Sequence, residues 1–362
     1  MCYLKRIQEL KKKLEEMKSP ARLDLPFVES RPPTQAFSEF LTNKEQGDWA
    51  ERTFIENFNR VQENHWAVKY GRSEDLVAGE PGFDDYYRAY QAELREIGKR
   101  PDVLVFERAA FAPSFGTCTD CSNFDRETLD RWVPRAVSAI EVRSSAFLSR
   151  RYDAAVAQAR SQLGEQLRQW ASQLLKDYPD EIARGQDWKP YLEKLLRDGM
   201  DPNIAAPRAL GLHSTERLSQ ASALTKAIKG GLRSLSQRDF LSLTPKAEDL
   251  TLVYRWIQRY GVPHHYCQVF FDRAVMLSFE EILGILATPK REGRDFFIEA
   301  DEKNQGKVTF KINVQLGREV LNQVDLPEHA SAMKELPQGR LLFYVKFKPS
   351  QAVVVPGAIR HD

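Results

Sequence analysis

Two acidic residues stand on short apolar segments of this chain, and their type and spacing suit a metal site. Asp102 follows a proline and opens the apolar run 103–106, and Glu141 lies thirty-nine positions later (141 minus 102) within residues 139–145. A carboxylate on a buried strand must be solvated or paired, and Mg²⁺ prefers hard oxygen ligands of this kind. If the two strands lie side by side, we predict that Asp102 and Glu141 share a divalent cation.

A positive charge accompanies the second acid. Side chains two positions apart share one face of a strand, so Glu141, Arg143 and Ser145 are expected on the same side. A divalent cation and a fixed cationic group together suit phosphodiester cleavage, in which charge develops on the phosphate. We therefore predict Asp102, Glu141 and Arg143 as catalytic residues. Because arginine keeps its proton, Arg143 is expected to hold the phosphate or orient water and not to act as a base.

The surrounding pattern predicts the elements that position these residues. Helical periodicity covers residues 34–59, 246–260 and 278–286, and a long amphipathic helix over 152–178 is expected to pack across the sheet. Strands are expected at 65–70, 240–244, 266–271, 307–315 and 340–348. The fold class is therefore predicted as α/β: a mixed central β-sheet flanked by helices, with an N-terminal helical region and a C-terminal β-rich extension.

Three domains are predicted along the chain. Residues 1–33 form an N-terminal helix and linker, with an apolar stripe on residues 4–17 that suits docking on a partner or on the protein itself. Residues 34–290 form the core with insertions, and residues 291–362 form the β-rich extension. Ser278 and Glu281 have the spacing of a helix capping box.

Composition narrows the classes of protein. The 362 residues can bury one large core or two modest ones, and no run approaches the roughly eighteen apolar residues of a membrane span. Four cysteines are too few for a disulfide framework, which favours a cytoplasmic location. Cys118 and Cys121 lack nearby zinc ligands and are predicted to lie in a turn-rich loop. His264 and His265 should point to opposite faces of a strand and are interpreted as structural.

The order of these motifs resembles the PD-(D/E)XK nuclease superfamily. Residues 46–51 and 141–145, together with 249–257, 262–272 and 278–283, are most similar to type II restriction endonucleases of the AccI type. The resemblance implies Glu51 as a third metal ligand beside Asp102 and Glu141, with Mg²⁺ as cofactor. It also implies cleavage of double-stranded DNA at a short, near-palindromic site by a homodimer, leaving 5′-phosphate and 3′-hydroxyl ends. A cognate DNA methyltransferase would protect the same site.

The chain departs from this family pattern at Arg143, where lysine is usual, and Lys246 is considered as a displaced lysine. Further basic residues are predicted to contact DNA: Arg150, Arg151, Lys226, Lys229, Arg233 and Lys246. For the basic residues near the Gly230–Gly231 pair, a solvated loop without DNA contact is an equally good interpretation. Two other functions remain open: a repair or recombination nuclease of the same fold, and a catalytically degenerate DNA-binding protein.

Overall fold

The computed structural model describes residues 2–72, 76–185, 187–199, 206–208, 210, 215–301 and 307–357. The chain divides into two compact units, one formed by Met1–Ser149 with Leu241–Asp362 and the other by Arg150–Phe240. The first unit contains the sheet and the second is helical. The predicted domain boundaries after residues 33 and 290 stay a prediction, because compactness alone does not test them.

Eleven α-helices and twelve strands are present in the described residues of the two units. The helices are α1 (Tyr3–Glu16), α2 (Ser38–Val61), α3 (Phe83–Ile97), α4 (Arg108–Phe115), α5 (Arg126–Trp132), α6 (Ser149–Asp177), α7 (Pro179–Ala183), α8 (Trp188–Asp198), α9 (Glu216–Leu235), α10 (Ala247–Tyr260) and α11 (Phe279–Leu286). The strands are β1 (His65–Lys69), β2 (Val103–Glu107), β3 (Ser138–Ser144), β4 (Ser242–Leu243), β5 (His264–Val269), β6 (Arg273–Ser278), β7 (Phe296–Asp301), β8 (Lys307–Asn313), β9 (Arg318–Asn322), β10 (His329–Glu335), β11 (Leu341–Phe347) and β12 (Val353–Val354).

A mixed sheet forms the centre of the first unit, as predicted. Among the described residues it has seven strands in the order β1-β2-β3-β5-β6-β9-β12. β3 and β5 pair in parallel, and the other neighbours are antiparallel. The last two strands come from the segment predicted as a C-terminal extension, so that segment also builds the central sheet.

Helix α2 covers one face of this sheet and decides which face remains for the acids. Its Trp49, Phe54 and Phe58 share a buried core with strand side chains that include Ile140 and Val142. Because side chains alternate along a strand, Glu141 between these two residues must face the other side. The apolar positions of β3 thus direct Glu141 away from α2.

Other helices complete the first unit. Helix α1 contacts α11 and buries Ile7 and Leu14, so its apolar stripe docks on this protein itself. Helix α11 begins with the predicted capping box, in which the Ser278 hydroxyl accepts from the Glu281 N–H and the Glu281 carboxylate accepts from the Ser278 N–H. Helix α10, confirmed at Ala247–Tyr260, buries Trp256 and Ile257.

The second unit corrects two predictions. The long helix is present as α6, but its buried Leu167, Ala171 and Leu174 belong to a core shared with α8 and α9, so its predicted packing across the sheet is wrong. An amphipathic helix buries its stripe on the nearest apolar surface, which the following helices supply. The segment around Gly230 and Gly231 lies inside helix α9, so the loop alternative is also wrong. A Cβ on Gly231 would lie 2.7 Å from Leu167 Cδ2, which explains a small residue there.

The predicted strands of the C-terminal part are present, but their bounds differ from the prediction. The predicted strand at 240–244 is reduced to β4, which joins β8 and β7 in a three-stranded sheet. Strands β10 and β11 form a hairpin whose Leu342 packs with Leu41 of α2. In the described part of the chain, no helix has the length and apolar character needed to cross a membrane.

Candidate functional site

A cleft of about 550 Å³ opens where β1 and β3 end and β2 begins. The predicted residues Glu51, Asp102, Glu141, Arg143 and Lys246 all line it. Eight further charged side chains that were not predicted as site residues also line it: Lys44, Asp48, Lys69, Arg72, Glu93, Lys99, Arg100 and Asp249. The sequence-predicted acids therefore share one solvent-reaching site.

The pairing of β2 with β3 brings the two principal acids together. The last paired residues are Val103 and Ile140, so Asp102 stands opposite Glu141 one position further along. The Asp102 carboxylate accepts a hydrogen bond from the Val142 N–H at 2.7 Å, which fixes it beside Glu141. A Cβ on Gly71 would lie 3.0 Å from Asp102 Cα, so a larger residue at position 71 would crowd the Asp102 backbone.

The two carboxylate oxygens of Glu141 have different surroundings. Glu141 is 1% exposed, and its Oε1 lies 2.5 Å from Lys99 Nζ and 2.7 Å from Arg143 Nη2. Its Oε2 is buried and has no hydrogen-bond partner among the described residues. A buried acceptor without a partner is unfavourable by roughly 1–3 kcal/mol, more when it is charged. Oε2 is therefore the oxygen that is ready to accept a cation or a donor.

Lys99 reaches Glu141 through a close contact between two helices. Gly98 ends α3 with φ +84°, and a Cβ at that position would overlap the Leu252 carbonyl oxygen of α10. The same carbonyl accepts a hydrogen bond from the Lys99 N–H at 3.1 Å. The residues before Asp102 carry no periodic signal for this placement, because it depends on how α3 meets α10. The only local sign of this placement in the sequence was a glycine, Gly98, directly before Lys99 at the end of a helix.

Asp249 lies close to the same two cations. It lies in the first turn of α10, 3.4 Å from Arg143 Nη2 and 4.0 Å from Lys99 Nζ. Although burial alone would raise its pKa, the charges of Lys99 and Arg143 lower the pKa of this carboxyl below its usual value. Asp249 was named in the sequence only as part of a family-like segment, and the tertiary structure adds it to the site.

Two acids of the cleft, Asp102 and Glu51, have higher pKa values than exposed acids. Burial, reinforced by the charges of Glu141 and Glu51, raises the pKa of Asp102 well above its usual range. Burial also raises the pKa of Glu51 to about 7, although Lys69 Nζ, 3.3 Å away, opposes the shift. Repulsion between neighbouring carboxylates is the arrangement that a divalent cation relieves.

The cationic side chains remain charged in this setting. Burial and the Arg143 charge oppose protonation of Lys99, but Asp249, Glu141 and Asp102 outweigh them and raise the pKa of Lys99 to about 12. Glu141 is the main cause of a raised pKa for Arg143, against the effect of burial. Lys246 precedes α10 and acts on Asp249, whereas the ammonium at Glu141 belongs to Lys99.

The other predicted DNA contacts lie in the second compact unit. Arg150 and Arg151 begin α6 and are exposed, as are Lys226 and Arg233 on α9. Lys229 donates to the Pro207 carbonyl oxygen at 2.9 Å. Their role in DNA binding stays a prediction.

The donor set of the cleft fits a magnesium ion better than a zinc ion. Within the ranges that the structure describes, no three His, Cys, Asp or Glu side chains are grouped as a metal site would require. Mg²⁺ commonly takes one or two carboxylates and completes its shell with water and substrate phosphates. Asp102 and Glu141, with the unpartnered Glu141 Oε2, meet that requirement, and Glu51 stays a predicted third ligand.

The remaining candidate ligands have other partners or surroundings. The thiols of Cys118 and Cys121 donate to the carbonyl oxygens of Asp120 and Lys69. His265 faces Ser138, with Nδ1 3.0 Å from its hydroxyl, whereas His264 packs among aromatic rings. The expectation of two oppositely directed histidines agrees with these contacts.

Comparison with known proteins supplies the family. No curated protein and no solved structure matched the chain. A family model described as AccI restriction endonuclease matches residues 1–357, which is nearly the whole sequence and includes every residue of the cleft. The protein therefore belongs to the AccI restriction endonuclease family and is a DNA-hydrolysing nuclease of a restriction-modification system.

Proposed function

We propose that this protein is a type II site-specific deoxyribonuclease that requires Mg²⁺. It cleaves both strands of DNA at a short, near-palindromic site and leaves 5′-phosphate and 3′-hydroxyl ends. The observation that supports this most directly is the unpartnered Oε2 of Glu141, buried beside Asp102 in an open cleft. Buried polar atoms usually have hydrogen-bond partners, and this oxygen belongs to a carboxylate that lies beside a second buried acid.

In this proposal Asp102 and Glu141 hold the metal ion, and Glu51 joins them. When bound, Mg²⁺ supplies charge neutralisation at the phosphate and a more acidic water molecule. Arg143, whose side chain is 37% exposed while the Glu141 beside it is 1% exposed, is the group that can reach from the acids toward a phosphate. Because its guanidinium presents several donors, it would orient the phosphate and stabilise its developing charge.

The order of elements supports a PD-(D/E)XK core. An acid on α2 is followed by an acid at the start of β2 and by Glu141 within β3, which pairs with β2. The three acids converge on one cleft. This is the arrangement that the sequence resemblance implied, and we propose the PD-(D/E)XK core from the strand pairing as well as from the motif order.

Pairing of two protein copies would match a two-fold DNA site, so we propose a homodimer that acts on double-stranded DNA. The exposed basic residues of the second unit, Arg150, Arg151, Lys226 and Arg233, are proposed to contact phosphates, with Lys229 and Lys246. A cognate methyltransferase would modify the same site and need not bind this protein.

The test is cleavage of one plasmid and one phage genome with Mg²⁺ by the wild-type protein, Glu141→Gln and Asp102→Asn. We expect discrete fragments from the wild-type protein and at least about a thousandfold slower cleavage by both variants. DNA binding measured with Ca²⁺ should persist in all three. The control is Glu328→Gln, an exposed acid paired with Lys348, which should cut normally. Full-rate cleavage by both cleft variants would refute the site.

The fragment ends decide between the alternatives. Sequencing should place every cut at one short sequence, and the ends should ligate without prior phosphorylation. Ladders that start from free ends would favour a repair nuclease. Salt-sensitive binding without any cleavage, in Mg²⁺ and in Mn²⁺, would favour a degenerate DNA-binding protein.

A further inference from the structure

Two cations compete for one oxygen of Glu141. Lys99 Nζ and Arg143 Nη2 lie 2.5 Å and 2.7 Å from Oε1, so the free protein neutralises Glu141 before any metal ion arrives. A divalent cation at Glu141 would repel both groups. The cleft must therefore either release them to solvent or provide a second anion that keeps them in place.

Asp249 is that second anion. Its Oδ2 lies 3.4 Å from the Arg143 guanidinium and 4.0 Å from the Lys99 ammonium. It belongs to the first turn of α10, where the positive end of the helix favours a carboxylate. The backbone of Lys99 is fixed to the same helix through the Leu252 carbonyl. The flexible lysine side chain can therefore exchange one acid for the other without backbone movement.

We propose that Asp249 is a positioning residue that retains Lys99 in the cleft when Glu141 binds a divalent cation, so that the Lys99 ammonium becomes free to contact the DNA phosphate. This inference rests on the proposed function of the cleft. It assigns to Lys99, from the α3–α10 junction, the phosphate contact that the sequence suggested for Lys246. It also gives Glu141 two successive partners, first Lys99 and then the metal ion.

Direct metal binding provides the test, because it needs no turnover. Calorimetric titration of the full-length protein with Ca²⁺ is compared for the wild type, Lys99→Met and Asp249→Asn. Lys99→Met removes the competitor, so it should bind Ca²⁺ about tenfold more tightly and still cleave about a hundredfold more slowly with Mg²⁺. Asp249→Asn should bind Ca²⁺ about tenfold more weakly, because Lys99 then remains on Glu141.

The double variant separates positioning from a general loss of negative charge. In the Lys99→Met background, Arg143 is the one cation of this pair that Asp249 still holds. If Asp249 acts through Lys99, Asp249→Asn should therefore weaken Ca²⁺ binding only about threefold in that background. An equal effect in both backgrounds, or unchanged Ca²⁺ affinity in Lys99→Met, would overturn the inference. Matched controls are Lys348→Met and Asp24→Asn, two exposed members of surface ion pairs, which should bind metal normally.

Failure of this inference is distinguishable from failure of the proposed function. If Glu141→Gln cuts at the wild-type rate, the cleft is not the nuclease site. If Glu141→Gln is inactive while Lys99→Met cuts and binds Ca²⁺ like the wild type, only the role of Lys99 and Asp249 is wrong.

Discussion

The two ends of the central sheet carry charged clefts of different character. The cleft at Asp102 and Glu141 measures about 550 Å³, whereas a cavity of about 1280 Å³ opens at the other end, where β1, β3 and β5 begin. The larger cavity would attract attention first if volume alone identified a functional site. Its charges are arranged differently from those of the smaller cleft.

Two ion pairs at the larger cavity lie near solvent. Arg6 and Glu280 form an ion pair at 3.0 Å with side chains 32% and 34% exposed, and His264 is enclosed by the rings of Trp256, Tyr266 and Phe279. In the smaller cleft, acids are buried beside one another, and one carboxylate oxygen has no partner in the part of the chain that the structure describes. Burying like charges opposes folding, so such a cluster indicates function better than cavity size does.

The largest effect should come from the glycine that positions Lys99. Gly98→Ala places a Cβ against the Leu252 carbonyl at φ +84°, so we expect a loss of about 4 kcal/mol in the free energy of unfolding. Gly284→Ala in α11, beside the larger cavity, meets no atom within 4 Å and should stabilise the helix by about 0.5–1 kcal/mol. Urea denaturation measures both. Equal stability of the two variants would contradict the packing described at Lys99.

A pH-dependent effect should follow at Glu51. Its folded-state pKa of about 7 lies above the value of 4.5 for a free glutamate, so the folded protein keeps a proton that the unfolded chain has lost. The stability linked to this group is therefore present below pH 4.5 and is lost as the pH rises to about 7. Without metal, Glu51→Gln should exceed the wild type by about 3 kcal/mol at pH 8 and by little at pH 4.5.

Denaturation of the metal-free protein over this pH range provides the measurement for Glu51. Glu280→Gln, which removes an ion pair at the opposite end of the sheet, is the control. A gain for Glu51→Gln that is the same at every pH would show that charge burial is not the cause.

Arginine substitutions should sharpen the contrast in function. Arg143→Ala is expected to lower the cleavage rate about a hundredfold, because the developing charge on the phosphate loses its guanidinium. Arg6→Ala at the larger cavity should leave cleavage unchanged and lower stability by no more than about 1 kcal/mol. Cleavage kinetics on one plasmid compare the two. If Arg6→Ala also slowed cleavage strongly, the two ends of the sheet could not be separated in this way.

The smallest effect is expected at His264. Burial lowers the pKa of His264 to about 3, below the usual 6.5, so the unfolded chain binds a proton that the folded protein does not. The stability linked to this group is present above pH 6.5 and falls as the pH decreases below it. His264→Phe should therefore gain about 2 kcal/mol over the wild type at pH 5, relative to pH 8, with cleavage unchanged. A variant with the same pH dependence as the wild type would show that another group is responsible.

Local patterns predicted much of the first unit. Alternation placed Glu141 and Arg143 on one face, and the structure joins them at 2.7 Å. The capping box at Ser278 and the helices α2, α10 and α11 were also predicted close to their observed bounds. Each of these features depends on residues within a few positions of one another, so the sequence already contains its cause.

The packing of α6 could not be read from its own pattern. An amphipathic stripe states that one side of a helix is buried, but it does not name the surface that covers it. The sheet and the helices α8 and α9 were both available partners, and the second unit supplied the core. The loop alternative for the glycine pair in α9 was wrong for a similar reason, since the close contact between Gly231 and Leu167 joins segments that are far apart in the sequence.

By itself, the sequence determined that two acids and an arginine lie on or beside two apolar strands and that the chain belongs to a restriction endonuclease family. Only the tertiary structure brought Lys99 and Asp249 to those acids, because both come from elements whose meeting depends on the α3–α10 contact. Strand alternation depends on residues two positions apart, so it can be predicted from the local sequence. The partners of a buried charge are set by distant segments, which only the folded chain brings within a few ångströms.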